Sequence, residues 1–272
     1  MTAQAAAAAA IPENQPAYPS ENNNDMFGRR KRKLSGPASA IPPTLGKIRI
    51  KWGRKGLVRF LSHLENNRVF ERAIRRAELP VAYSLGYHPH QKLSFGPPLP
   101  VGYSSDCEYL DIQIDGNCTK DHLAGLARVL PEGFFIHDFK LIYSKAPAIS
   151  ALLNRATYYV FGRFGDLELL ERSLAAVLAR DSIIVTRGGK ETSKDVEIRP
   201  AIYHLGLSAD AGVSRIEMEL GLGQGGYARP NEVMEALGLF PPEQLPAFHF
   251  HRRELRYLDE FGTYLDPLSI LL

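Results

Sequence analysis

From Lys47 the chain alternates apolar and charged residues: Ile48, Ile50 and Trp52 are read to one side, Arg49, Lys51 and Arg54 to the other. That period of two predicts a strand leading into a glycine-containing turn at Gly53–Gly56. Ser62 followed three residues later by Glu65 is a capping-box signal, so a helix should begin at His63. The period then changes to 3.6, and the helix is expected to run to Glu78. Phe70, Ala73, Ile74 and Ala77 share one face of it, while Arg68, Arg72, Arg75 and Arg76 share the opposite one, interleaved with Glu65 and Glu71. Leu79–Pro80 ends the helix. VAYS reads as a short strand, Gly86 as a turn, and YHPHQKLSFGPPLPVG as an irregular loop around a strand KLSF. EYLDIQI is a strand, TKDHLAGLARVLP a short helix and FFIHDFKLIY another strand.

The order strand, helix, strand, strand, helix, strand defines a split βαβ, ferredoxin-like unit with both helices on one sheet face. SKAPAIS marks a boundary. Beyond it come strand ATYYVFGRF, a helix capped at Asp166, strand SIIVTR, the strand pair DVEIRPAIYHLGLS and SRIEMELGL, and a helix RPNEVMEALG with Pro230 near its start. A second ferredoxin-like unit in tandem is the simplest reading, resting on element order alone. The C-terminal FHFHRRELRYL places His249 and His251 beside Arg252 and Arg253 and reads as a basic tail segment. The expected fold is therefore α+β: tandem ferredoxin-like (βαββαβ) domains over 47–146 and 147–272, behind a disordered leader over 1–46. That leader is rich in Ala, Pro and Asn, carries the basic run GRRKRK, and ends in a Pro/Ser linker.

Composition narrows the function classes. An apolar content of 44% in 272 residues supports a sizeable core. No apolar run reaches the roughly eighteen residues of a membrane span. Cys107 and Cys118 are the two cysteines, too few for a disulfide framework or for an iron–sulfur cluster held by this chain alone, and suited to a reducing cytoplasm. Of the net charge of +3, the leader holds five cations against three acids, which leaves the remainder near +1. A nucleic-acid partner would have to be met by a local patch.

The richest stretch for such a patch is Arg59–Glu108, which holds three of the eight histidines: His63, His88 and His90. Two readings of the arginine face are open: a solvated surface with i,i+3 and i,i+4 ion pairs, or a ridge whose planar guanidinium forks meet phosphate or carboxylate. His88 and His90 flank Pro89, so both rings are presented from a stiff segment, with Lys92 and Ser94 following at alternating positions. His-x-His without a well-spaced third ligand among so many cations argues against a metal, and none is expected. Further on, GLGQGG at Gly221–Gly226 fits G-x-G-x-x-G, but no early βαβ unit with a ribose-binding acid surrounds it, which argues against a dinucleotide site and leaves two readings open, a loop whose amides meet a phosphate backbone or a plain turn.

RFLSHLENNRVFERAIRRAELPVAYSLGYHPHQKLSFGPPLPVG, followed by EYLDI, resembles the signature of the radical SAM-linked proteins, a bacterial domain of unknown function found beside radical SAM proteins or fused to them. The matching positions are Arg59, Phe60, Ser62, His63, Arg68, Glu71, Arg72, Arg75, Arg76, Tyr83, Ser84, Gly86, Pro89, His90, Lys92, Ser94 and Glu108. Glu65, His88 and Gln91 depart from the pattern, where Asp, Asn and Pro are usual. Because His88 departs, His63, His90 and Lys92 are the better candidates for chemistry. The resemblance extends more weakly to about Pro230. It implies a radical SAM partner and supplies no reaction.

The expectation is an accessory or substrate-presenting cytoplasmic protein, without a cofactor of its own, that binds RNA or another phosphate-containing ligand. Its site would comprise Arg59, His63, Arg68, Arg72, Arg75, Arg76, Tyr83, Ser84, His90, Lys92, Ser94 and Phe95, the aromatics stacking bases while the cations hold phosphates. Two alternatives remain. One is a metal-independent endoribonuclease with His63 or His90 as general base and Lys92 or an arginine stabilising the phosphorane. The other is a protein-only adaptor whose arginine ridge a partner covers.

Overall fold

A computed structural model describes residues 46–142, 146–188, 193–210, 213–223 and 226–270. The leader expected over 1–46, save Gly46, and two positions of the glycine-rich loop lie outside the described residues.

β1 (Lys47–Arg54) is followed by a 3-10 turn (Gly56–Phe60), α1 (His63–Arg76), β2 (Leu93–Phe95), β3 (Ser104–Gln113), α2 (Lys120–Val129) and β4 (Phe134–Ile142). The chain continues through a single turn, α3 (Ile149–Leu152), into β5 (Arg155–Phe161), α4 (Leu167–Leu178), β6 (Ile184–Arg187), β7 (Lys194–Glu197), β8 (Ile202–Asp210), β9 (Val213–Gly221), α5 (Pro230–Leu237), β10 (His249–Leu258) and β11 (Tyr264–Leu265). The caps follow the residues that foretold them. The Ser62 side chain accepts from the Glu65 amide while Glu65 accepts from the Ser62 amide, and Asp166 accepts from the Glu168 and Leu169 amides. Thr119 and His122 form a further capping box on α2.

Nine strands form one sheet, in the order β4-β1-β3-β10-β5-β9-β8, with β2 joining β3 and β11 joining β10. The pairings are antiparallel except that of β3 with β10. The fold is thus mixed α+β, dominated by a large mixed sheet. β6 and β7 stand apart as a two-stranded hairpin, inserted between α4 and β8, rather than extending the sheet.

Strict alternation decides which side chains enter the core. Ile48, Ile50 and Trp52 pack with Phe70, Ala73 and Ile74 of α1 and with Leu123 and Leu126 of α2. In the second half Ala156, Tyr158, Val160, Ile216, Met218 and Leu220 pack with Leu170, Leu174 and Val177 of α4 and with Val233, Met234 and Leu237 of α5. Arg49 and Arg54, read together on the side opposite Ile48, Ile50 and Trp52, are both fully buried, and only Arg49 lies on that side. Arg49 lies on the sheet face away from the helices, where it pairs with Asp111 at 2.7 Å and donates to the carbonyls of Pro267 and Pro147, so the C-terminal segment covers that part of the face. Arg54 has the parity of Trp52 and points the other way, donating to the carbonyls of Tyr103, Leu61, Leu99 and Pro100.

FHFHRRELRYL is not a tail. It is β10, the strand that bonds to β3 on one side and β5 on the other and makes one sheet of the two halves. The physical reason it escapes a sequence reading is that its arginine and histidines are matched by partners about 145 positions away, on β3. No helix of the described residues is long and apolar enough to cross a membrane.

Candidate functional site

The fold divides the expected site residues into separate groups. Arg68, Arg72, Arg75 and Arg76 are exposed along α1. The Arg75 Nε donates to the Glu71 carbonyl at 3.2 Å, and among the described residues none of the four guanidinium groups lies in an ion pair. Glu65 is occupied by its cap and Glu71 leaves the ridge uncompensated at contact distance. The residues 83–91 form a tongue beside this ridge. Tyr83 bridges to Gln91, the Ser84 amide donates to the His90 carbonyl at 2.8 Å, and the Ser84 hydroxyl accepts from the His90 amide at 2.9 Å. Gln91 ties the tongue to α1 by donating to the Glu71 carbonyl at 3.3 Å. Leu85 and Tyr87 stand at its tip, 93% and 102% exposed, and His88, His90 and Lys92 are exposed with them.

His63, Phe95 and Ser94 are half-buried rather than exposed with the tongue. The His63 ring meets Phe95 edge-on at 5.7 Å, and Phe95 packs against Phe70 and Trp52 at 5.7 and 6.5 Å, so both belong to the margin of the first core. Ser94 is half-buried on β2 opposite Asp111. Arg59 sits elsewhere again, half-buried, with its guanidinium over Phe60 and 3.4 Å from His249 on β10.

That last contact opens a polar chain at the β3–β10 seam which sequence reasoning missed. His249 Nε2 lies 2.7 Å from Ser104 Oγ, Ser104 Oγ lies 2.8 Å from His251 Nδ1, and His251 Nε2 lies 3.1 Å from Asp106 Oδ2. Lys55 and Arg253 pair with Asp106 at 2.8 and 3.1 Å. An arginine only donates and a carboxylate only accepts, so His249 carries its proton on Nε2 and His251 carries one on Nε2, and with His251 neutral the bonds run in one direction. Arg59 donates to His249 Nδ1, His249 Nε2–H to Ser104, Ser104 O–H to His251 Nδ1, and His251 Nε2–H to Asp106. Both imidazoles are neutral in this arrangement. Burial lowers the pKa of each, aided at His249 by the Arg59 charge and opposed at His251 by Asp106. Burial works against the Asp106 carboxylate, but Lys55 and His251 outweigh it and hold its pKa below the ordinary value. The sequence signal was the alternation H-x-H in a strand-like run, which puts both rings on one sheet face.

On the helix side of the same seam Arg252 and Glu108 form a buried ion pair at 3.1 Å. Arg252 also donates to the Tyr158 hydroxyl and to the carbonyls of Pro97 and Pro98, while Arg54 grips Leu99 and Pro100. Two buried arginines therefore fix the loop GPPLP, whose prolines leave carbonyls with few amide partners of their own. Among the described residues no three His, Cys, Asp or Glu side chains converge as metal ligands would.

These features define an α+β protein with an exposed arginine helix and a histidine-lined seam in one large sheet. The chain belongs to a family described as uncharacterized proteins conserved in bacteria (DUF2344), whose profile matches residues 47–230. No curated protein matches it. Among solved structures it is similar to a chain of a Cbf5–Nop10–Gar1 complex, at TM-score 0.38 and 12% identity over 83% of this chain and 56% of that one. It is also similar to a chain of the archaeal box H/ACA sRNP Nop10–Cbf5 complex, at 0.32 and 11% over 79% and 48%. An unknown protein from Galdieria sulphuraria follows, at 0.21 and 14% over 76% and 96%. The chain thus spans about half the length of the first two chains.

Proposed function

We propose that this protein is a non-catalytic accessory factor that binds RNA, or another phosphate-containing ligand, through the arginine face of α1 and the adjoining tongue, and that it serves a radical SAM enzyme. The observation that carries the binding reading is the set Arg68, Arg72, Arg75 and Arg76, exposed on one helix and without a carboxylate at contact distance among the described residues, beside the projecting Tyr87. Four forked cations offer bidentate contacts to phosphates. An exposed tyrosine on a pinned loop offers a face on which a base can stack. The radical SAM partnership is supported by the resemblance of residues 59–108 alone.

We read the two halves as tandem ferredoxin-like domains meeting near residue 146. In support, β4-β1-β3-β2 and β10-β5-β9-β8 each place the fourth, first, third and second strands of a βαββαβ unit side by side.

The test is a double variant, Arg72→Ala with Arg75→Ala, titrated with single-stranded RNA across a salt series. Removing two phosphate contacts should weaken binding and flatten the slope of log K against log salt by about 1.4, from roughly 0.7 per phosphate. An unchanged affinity and slope would remove the RNA reading, and capture of the radical SAM enzyme by both proteins alike would favour the protein-only adaptor. RNA cleavage scored in the same mixtures addresses the endoribonuclease alternative.

A further inference from the structure

We propose that the sheet face turned away from the helices, where β10 joins the two halves, is a stacking platform for single-stranded RNA. The proposal rests on the RNA-binding reading above and adds to it a second surface on the other side of the sheet.

The rings on this face fall into two groups, one on β4 and one shared by β10 and β5. Phe135 and His137 of β4 meet edge-on at 4.8 Å. On β10, His249 meets Phe161 of β5 at 6.0 Å and His251 stacks on Tyr159 at 6.5 Å. Tyr159 and Phe161 are themselves 6.3 Å apart, and Arg215 of β9 lies 4.2 Å over Tyr159. The two groups and Arg215 lie within the strand run β4-β1-β3-β10-β5-β9, about 24 Å at the ordinary strand spacing. Gly53 of β1 is part of it: a Cβ there would come within 2.4 Å of the Phe135 ring, so the glycine lets that ring lie across its strand. Phe135, Tyr159, Phe161 and His249 are all half-buried, backed by the sheet and reachable from solvent.

Cations interleave with the rings. Lys55 lies 5.3 Å over Phe135 and is 57% exposed, Arg253 is 48% exposed, and Arg59 adjoins His249. The carboxylates on this face include Asp106, held by Lys55 and Arg253, Glu254, held by Arg256, Glu217 directly across from Tyr159, Glu219, which accepts from the Tyr264 hydroxyl, and Asp138 across from Lys51. A protein partner would favour a contact centre depleted of charge. Here every ring has a cation or a neutral imidazole beside it, which suits bases on the rings and phosphates on the cations. The bases must be unpaired to lie against a sheet, so the ligand is single-stranded.

The test uses the full chain with Tyr159→Ala and Phe161→Ala together, titrated with a fluorescein-labelled pyrimidine oligoribonucleotide. Affinity should fall about tenfold or more, with the salt slope unchanged, because rings and not phosphate contacts are removed. Tyr159→Leu with Phe161→Leu keeps the strand's apolar bulk and should bind as weakly, which separates lost stacking from a damaged fold. If the wild type binds, the α1 arginine variant weakens it and both ring variants bind like wild type, the platform is refuted while the α1 reading stands. If the wild type does not bind at all, both fall together.

Discussion

Arg252 and Glu108 are both nearly fully buried, and taking two charges out of water is expensive unless every donor and lone pair is met. Arg252 meets that demand through Tyr158, Glu108, Pro97 and Pro98. Burial alone would discharge the pair, lowering the arginine and raising the acid. The Glu108 charge nonetheless holds the Arg252 pKa above its ordinary value, and burial still pushes the Glu108 carboxyl up against the pull of Arg252 and Arg54. Arg252→Met keeps much of the volume but leaves Glu108 buried without its main partner. We expect it to destabilise the fold by about 3–5 kcal/mol in urea denaturation. A loss below about 1 kcal/mol would mean that Arg54 suffices to hold Glu108. In sequence Arg252 and Arg253 sit in one basic run, but Arg252 shares the parity of buried Phe250, and the bulge that follows it returns Leu255 to the core.

At the scale of elements, α1, α2, α4 and α5 were legible because each carries its own cap and apolar period within a dozen residues. The arginine face of α1 was legible for the same reason, as a local pattern. What stayed hidden needs a partner far along the chain: the parallel pairing of β10 with β3, the detachment of the β6–β7 hairpin, and the chain Arg59–His249–Ser104–His251–Asp106. His63 and Phe95 were drawn into the site by proximity in sequence, whereas Phe95 packs against Trp52 and Phe70 and the His63 ring meets Phe95 at the core margin. The seam chain has a pH signature. His249 and His251 have pKa values lowered from 6.5, so the unfolded chain takes up protons first as pH falls. Their contribution to stability is complete above about 6.5 and is lost as pH drops through the lowered folded values. Asp106 acts with the same sign, but its pKa is lowered from 3.8 and its window lies below that. The melting temperature should therefore fall between about pH 7 and pH 5, and His249→Gln with His251→Gln should flatten that dependence. An equal slope in the double variant would show that other groups, His137 among them, govern it.

Across the whole molecule, the β3–β10 junction makes one sheet of two similar strand sets, and the buried Arg252–Glu108 pair lies across it. The halves should then unfold together. Trp52, the single tryptophan, reports on the first half by fluorescence, and far-UV circular dichroism reports on both. Coincident urea transitions are expected, whereas an earlier fluorescence change would mean that the first half unfolds by itself. The two surfaces proposed for the ligand, the arginine helix and the ring-bearing face, lie on opposite sides of this sheet. The most direct test of the account is an equilibrium titration of the wild-type protein with single-stranded RNA between about 50 and 200 mM salt. The account predicts binding that weakens steeply as salt rises, with a slope set by the phosphates that α1 engages. Binding that is absent, or that ignores salt, would contradict it.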